Sequence, residues 1–245
     1  MSPDDFDAFV ASMPTSYHEA FDAQAVAAHA AVVARREGSA TRVEIWKELP
    51  ERVIAICVVA DDRPGLLSQI SAALVAEQID VVSAHAYCRT RPDGAKEAVD
   101  ILWIRRVARL GGVIAKLRER DVTALGELVD ALVRGNAKVD QAVGFARAIV
   151  AAGASTRVLF DDSAKDGTMV LTVEATDRPG LLLLVTQAIF RAELQIIGLR
   201  ATSEKGRAID RFHLAEADGK PLVLARLLAL QVEIFTAIES DGAAA

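Results

Sequence analysis

The sequence predicts an α+β fold built from two similar halves. Three observations carry that reading. Asp62-Arg63-Pro64-Gly65-Leu66-Leu67 is repeated as Asp177-Arg178-Pro179-Gly180-Leu181-Leu182, at an offset of 177 − 62 = 115. Long-period self-similarity of this kind marks duplicated architecture. From Ala60 to Ala86 the second copy aligns with the first without a gap, and both keep an apolar stripe after the motif. Leu66, Ile70, Ala73 and Leu74 fall on Leu181, Val185, Ala188 and Ile189. The i, i+4, i+7, i+8 spacing is that of an amphipathic helix. Finally, each motif follows a β-branched run and precedes another, so strands alternate with helices.

In chain order, residues 1–45 read as a helical segment, with PDDFDAFVASMP and FDAQAVAAHAAVVARREG as its helices and Gly38 as a stop. Residues 52–60 form the first strand candidate, and the motif turns it into a helix. Pro64 suits a first helical turn, where a missing N–H costs nothing. Residues 79–88 form a second strand. The Pro-Asp-Gly turn within 90–97 leads to a third strand at 98–104. A helix follows at 121–134. The second copy repeats the plan: strand 168–175, motif and helix, strand 194–203, turn 204–207, strand 208–214, helix 221–238. Asp100 and Asp210 match at an offset of 110, so the first hairpin is five residues longer. Each unit thus reads β-α-β-β-α. A closing strand is open in both copies: 156–162 for the first, 231–237 for the second, since short apolar runs read either way. This is the ferredoxin-like plan, an antiparallel sheet with helices on one face. The other face calls for cover, which a second copy in the same chain is expected to supply. Domains are expected at 50–140 and 155–245.

Composition narrows the function classes. The chain of 245 residues is 52% hydrophobic, 25% charged and only 5% aromatic, which suits a globular core of small aliphatic side chains. A net charge of −6 argues against nucleic acid or anionic membrane as a partner. Cys57 and Cys88 are too few for a disulfide framework. No apolar run reaches a membrane span, and the N-terminus is acidic where a signal peptide is basic. A cytoplasmic setting follows as the expectation. His18, His29, His85 and His213 are scattered and give no metal site; no cofactor is expected. Cys57, Cys88, Trp46 and Trp103 read as strand and packing residues.

The repeated turn has two readings. Asp62 and Asp177 lie three residues before Gly65 and Gly180 and suit a cap that accepts the glycine N–H. Alternatively, glycine lets another group approach the main chain closely. The free N–H groups of the helix start then attract a carboxylate.

DRPGLL between an apolar strand and an amphipathic helix resembles the signature of ACT domains, small ferredoxin-like regulatory modules. The chain is similar to the C-terminal ACT pair of the bacterial PII uridylyltransferase/uridylyl-removing enzymes. The likeness includes VLFDD ahead of the second copy, Gly206…Asp210, and the N-terminal FVASMPTSYHEAFDAQAVAAHAAVVARR. It spans nearly the whole chain and is strongest over residues 50–105 and 155–215. That family's catalytic motifs, a Gly-Ser with paired acidic residues and a His-Asp pair, are missing here, so the resemblance implies no catalytic residues. It implies a sensor of a small amino acid, glutamine foremost, linked to nitrogen or amino-acid metabolism. The effector sits where two modules meet, within the chain or in a homo-oligomer. By motif position the ligand-binding residues are Asp62, Arg63, Gly65, Leu66, Leu67, Asp177, Arg178, Gly180, Leu181 and Leu182. The copies diverge beside the motif: SQIS (68–71) faces LLVT (183–186), and Ser83-Ala84-His85 faces Gly198-Leu199-Arg200. Read copy by copy, the first pocket is the more polar. An assembly module without ligand, and the sensory fragment of a nucleotidyltransferase, are the alternatives.

Overall fold

The computed structural model describes residues 2–108, 114–139, 156–161, 168–216, 218 and 220–242. Three helices open the chain: α1 (Pro3–Ser12), α2 (Thr15–Ala20) and α3 (Ala23–Arg35). Ser2 and Asp5 form a capping box at α1, and Asp22 caps α3 through the Ala25 N–H at 2.8 Å. The first half follows as β1 (Thr41–Glu48), β2 (Ile54–Asp61), α4 (Leu66–Ala76), β3 (Ile79–Thr90), β4 (Lys96–Arg106) and α5 (Glu119–Val133). The second half is β5 (Arg157–Asp161), β6 (Met169–Thr176), α6 (Leu181–Arg191), β7 (Leu194–Glu204), β8 (Arg207–Glu216) and α7 (Leu224–Gly242). The stretch between the two expected domains, 140–155, lies outside the described residues.

The α+β class and the two ferredoxin-like units stand as expected, with one rearrangement. All eight strands join a single antiparallel sheet in the order β1-β2-β4-β3-β7-β8-β6-β5. In each half the outer strand comes from before the unit. β1 pairs with β2, and β5 pairs with β6. Residues 156–161 therefore lead the second half and do not close the first, while 231–237 lie inside α7. The reading of 1–45 as wholly helical is corrected too, because β1 begins at Thr41. Thr41, Val43 and Ile45 supply its β-branched, period-two side. α5 lies on this strand, and Gly126 lets it approach: a Cβ there would meet the Val43 Cβ at 3.4 Å.

α4, α5, α6 and α7 cover one face of the sheet. Val122, Leu125, Val129, Leu132 and Val133 of α5 are all buried in this core, each worth about 1.5–3 kcal/mol when fully removed from water. On the other face, α1–α3 cover the first half alone. Phe9, Met13, Tyr17, Val26, Ala30 and Val32 pack on Cys57, Val59, Tyr87, Val99 and Ile101. Trp46 and Trp103 join this layer, with Phe21 stacked parallel to Trp103 at 6.1 Å. A bulge between Ile45 and Lys47 accompanies the placement of Trp46. The expected burial of one copy on the other is thus corrected. The halves meet edge to edge through β3 and β7. The back of the second half shows Thr172 opposite Arg211 and Val170 opposite His213, with Arg211 and His213 exposed. A face this polar is stable in water and needs no cover.

The seam runs from Ser83–Thr202 to Tyr87–Gly198, with His85 opposite Arg200 at its centre. Those two positions are equivalent by the repeat (200 − 85 = 115), so the halves are related by a local two-fold axis there. No helix among the described residues is long and apolar enough to cross a membrane.

Candidate functional site

Both motif loops open toward the seam. Gly65 and Gly180 are the N-caps of α4 and α6, at φ +83° and +87°. This left-handed geometry is the one glycine adopts without strain. Neither helix has a side-chain cap, so Asp62 and Asp177 are not the caps that the spacing allows. Each is fixed through its backbone: Asp62 N–H donates to Lys96 C=O at 3.0 Å, and Asp177 N–H to Gly206 C=O at 2.9 Å. The two hairpin turns thus hold the two loops.

The arginines point away from the helix starts. Arg63 donates to Gln69 Oε1 at 2.9 Å and to the Val133 carbonyl at the end of α5. Arg178 donates to the Ile238 carbonyl of α7 at 2.9 Å. Both tie a motif loop to the last helix of its own half. That cationic end complements the helix carbonyls.

Two cavities of about 30 Å³ each result, room for one or two water molecules. Asp62, Arg63, Gly65, Leu66 and Leu67 line the first, with Tyr87, Cys88 and Asp100 from the same half. Thr186, Phe190, Ile196, Ile197 and Gly198 complete it from the second half. Asp177, Arg178, Gly180, Leu181 and Leu182 line the second, with Ala201, Thr202, Ser203 and Asp210. Ser71, Val75, Asp80, Val81 and Val82 complete it from the first half. Each cavity therefore draws on both copies. The two divergent stretches divide between the cavities: Ser68 of SQIS and Thr186 of LLVT line the first, Ser71 of SQIS and Leu183 of LLVT the second. Equivalent bulges, between Val81 and Ser83 and between Ile196 and Gly198, bend β3 and β7 beside the two cavities.

A buried carboxyl group lines each cavity. Asp100 and Asp210 are each 4% exposed and pair with no cation among the described residues. Burial holds the Asp100 carboxyl well above the usual range; the Asp62 charge adds to the effect and the Tyr87 N–H opposes it. Burial, then the Asp177 charge, pushes Asp210 up to about 7. Asp80 of the second cavity is also raised, chiefly by burial, although Arg105 donates to it at 3.0 Å. Each site thus sets a helix N-terminus without a side-chain cap against a carboxyl pair, Asp62–Asp100 or Asp177–Asp210. The arrangement offers N–H groups to an anion and carboxylates to a cation. Asp100 and Asp210 were not read as site residues from the sequence. The available signal was an aspartate at the equivalent strand position of both copies, inside an otherwise apolar strand in the first.

The remaining polar groups have other roles. Burial pushes the Cys88 thiol up to about 12, which leaves it a poor nucleophile. Cys57 is wholly buried. His29 bonds the Tyr17 hydroxyl at 2.8 Å, and His18 the Val10 carbonyl at 3.1 Å. No group of three or more possible metal ligands occurs among the described residues.

No family model matches the chain. Curated relatives do. The bifunctional uridylyltransferase/uridylyl-removing enzyme of Gluconobacter oxydans is 32% identical over 86% of the chain and 23% of its own length. Those of Phenylobacterium zucineum and Caulobacter vibrioides are 27% and 25% identical over 88% and 97% of the chain. The chain spans about a quarter of the length of these relatives. Among solved structures, aspartate kinase from Synechocystis overlaps 76% of the chain and 28% of its own, at 12% identity and a TM-score of 0.39, a likeness too distant to bear on function.

Proposed function

We propose that the chain is a non-catalytic regulatory module that senses a small amino acid where its two halves meet. The reading rests on one arrangement, found twice: a glycine-capped helix start facing buried carboxyls across a cavity shared by both halves. An α-amino acid is complementary to it. Its carboxylate meets the N–H groups of the first helical turn. Its ammonium group meets Asp100 with Asp62, or Asp210 with Asp177. The cavities hold only a water or two as they stand, so binding displaces a side chain or parts α4 from α6. L-Glutamine is the leading candidate, with a role in nitrogen or amino-acid metabolism and a cytoplasmic setting. The units are ACT-like, with domains at 50–140 and 155–245 and β1 (Thr41–Glu48) added ahead of the first as its outer strand, and their pairing within the chain builds the sites.

Isothermal titration with each of the twenty common amino acids tests the reading, L-glutamine first. Heat from at least one ligand, with a matching rise in melting temperature, is the expected result. Silence from all twenty removes it.

The relatives favour a second reading on the enzymatic side, in which the chain serves as the sensory portion of a uridylyltransferase. Uridylylation of a PII signalling protein by this chain alone is expected to be nil, because the catalytic motifs that the resemblance calls for are missing from its sequence. Measured transfer of the uridylyl group would overturn the non-catalytic assignment.

A further inference from the structure

We propose that the two cavities are unequal and that one ligand binds per chain, at the second, because Phe190 and Gln195 of the second half already engage the helix start and the loop carboxylate of the first. This rests on the amino-acid reading above and narrows it to one site. The repeat makes the comparison position by position. Phe190 corresponds to Val75, Gln195 to Asp80 and Thr186 to Ser71, each at the offset of 115.

At Gly65, a Cβ would lie 2.8 Å from Phe190 Cδ2 and Cε2. The Phe190 ring therefore rests on the turn itself and covers the approach to the N–H groups of α4. At Gly180 the nearest atom to a Cβ is Val75 Cγ2, at 3.8 Å, so the helix start stays accessible. The carboxylates differ in the same sense. Asp62 accepts a hydrogen bond from Gln195 Nε2 at 3.3 Å. In the second cavity Asp80 stands where Gln195 does and cannot donate as a carboxylate, which leaves Asp177 for a ligand. The hydroxyls differ as well. Thr186 Oγ1 donates within its own helix, to Leu182 C=O at 2.8 Å or Leu183 C=O at 3.1 Å. Ser71 is 2% exposed, lines the second cavity, and its Oγ has no hydrogen-bond partner among the described residues. A buried hydroxyl without a partner is costly, and a bound ligand relieves it.

The second cavity thus combines an open helix N-terminus, a polar atom awaiting a partner, and three carboxyl groups, Asp80, Asp177 and Asp210, with Arg178 in its lining and Arg105 paired to Asp80. A ligand with both a carboxylate and an ammonium group fits that set. The first offers the equivalent backbone with its approach occupied by Phe190 and its loop carboxylate engaged by Gln195.

Calorimetric stoichiometry on the full chain is the test, with the twenty amino acids as probes. One ligand per chain is expected for the wild type. Asp177→Asn, nearly isosteric, is expected to weaken binding at least about tenfold, and Val75→Phe to do the same by covering Gly180. Phe190→Val is expected to raise the stoichiometry to two. Two ligands on the wild type, or wild-type affinity in Asp177→Asn, overturns the inequality while leaving the sensing role intact, and a single ligand on Phe190→Val overturns Phe190 as its cause. Should Asp177→Asn and Val75→Phe fail to fold, the wild-type stoichiometry and Phe190→Val decide. No heat from any probe, with the wild type and Phe190→Val alike, overturns the sensing role itself.

Discussion

Gly65 and Gly180 share a backbone geometry and differ in what lies above it, and that difference can be measured in stability. Alanine at either position meets the cost of a left-handed φ, about 1–2 kcal/mol. Gly65→Ala meets the Phe190 ring as well and is expected to lose clearly more stability in urea unfolding than Gly180→Ala. Adding Phe190→Ala should restore most of the excess. Asp210 gives a second test. Its carboxyl is raised to about 7 by burial, so the folded state keeps a proton that the unfolded state releases near the ordinary aspartate value of 3.8. Stability from this group is complete below that lower value and is lost as pH rises through about 7. Asp210→Asn should flatten stability across that window, an effect of at most roughly 4 kcal/mol. His29 slopes the other way: burial lowers it to about 4, so its contribution is present above the ordinary histidine value and is lost as pH falls through about 4. The repeated motif made the loops legible from the sequence. Asp100 and Asp210 served there as markers of hairpin length, and Asp210 as part of the family pattern, but not as site residues, because their burial depends on strands that pair far apart in the chain.

At the scale of elements, the helices after each motif and the third strands were legible from period and turn chemistry. The outer strands were not. β1 lies just beyond a helical segment whose stop signal, Gly38, sits three residues earlier. β5 is short and equally consistent with the end of one half or the start of the next. Only register separates those options, and register is a tertiary fact. The N-terminal helices are held by a buried ion network. Arg36 donates to Glu97 at 2.8 Å and to Asp61 at 2.8 Å, while Arg89 donates to Glu97 at 2.7 Å and to Ser12 at 3.0 Å. Glu97 is 3% exposed. Glu97→Gln leaves two guanidinium groups without their shared carboxylate, and a loss of about 3–5 kcal/mol is expected. Protection of α1–α3 amides in hydrogen exchange should fall with it.

For the whole molecule, the sequence implied that two copies would cover one another. The structure sets them side by side, because the back of the second half is polar enough to face water and the first half has its own helical cover. That choice puts both cavities on the line between the halves. Along that line the sheet pairs over only five residues a side, from Ser83–Thr202 to Tyr87–Gly198, aided by the α4–α6 contact. A ligand there grips both halves at once and fastens them, adding about 2.7 kcal/mol at a hundredfold excess over Kd. Both tryptophans, Trp46 and Trp103, belong to the first half. Without ligand, their fluorescence and the far-UV circular dichroism of the whole chain are expected to follow separate urea transitions. With saturating ligand the two curves should coincide. The seam is then a fault line whose slip is visible from one side, and the protein carries in its own indoles a gauge of whether the fault is locked.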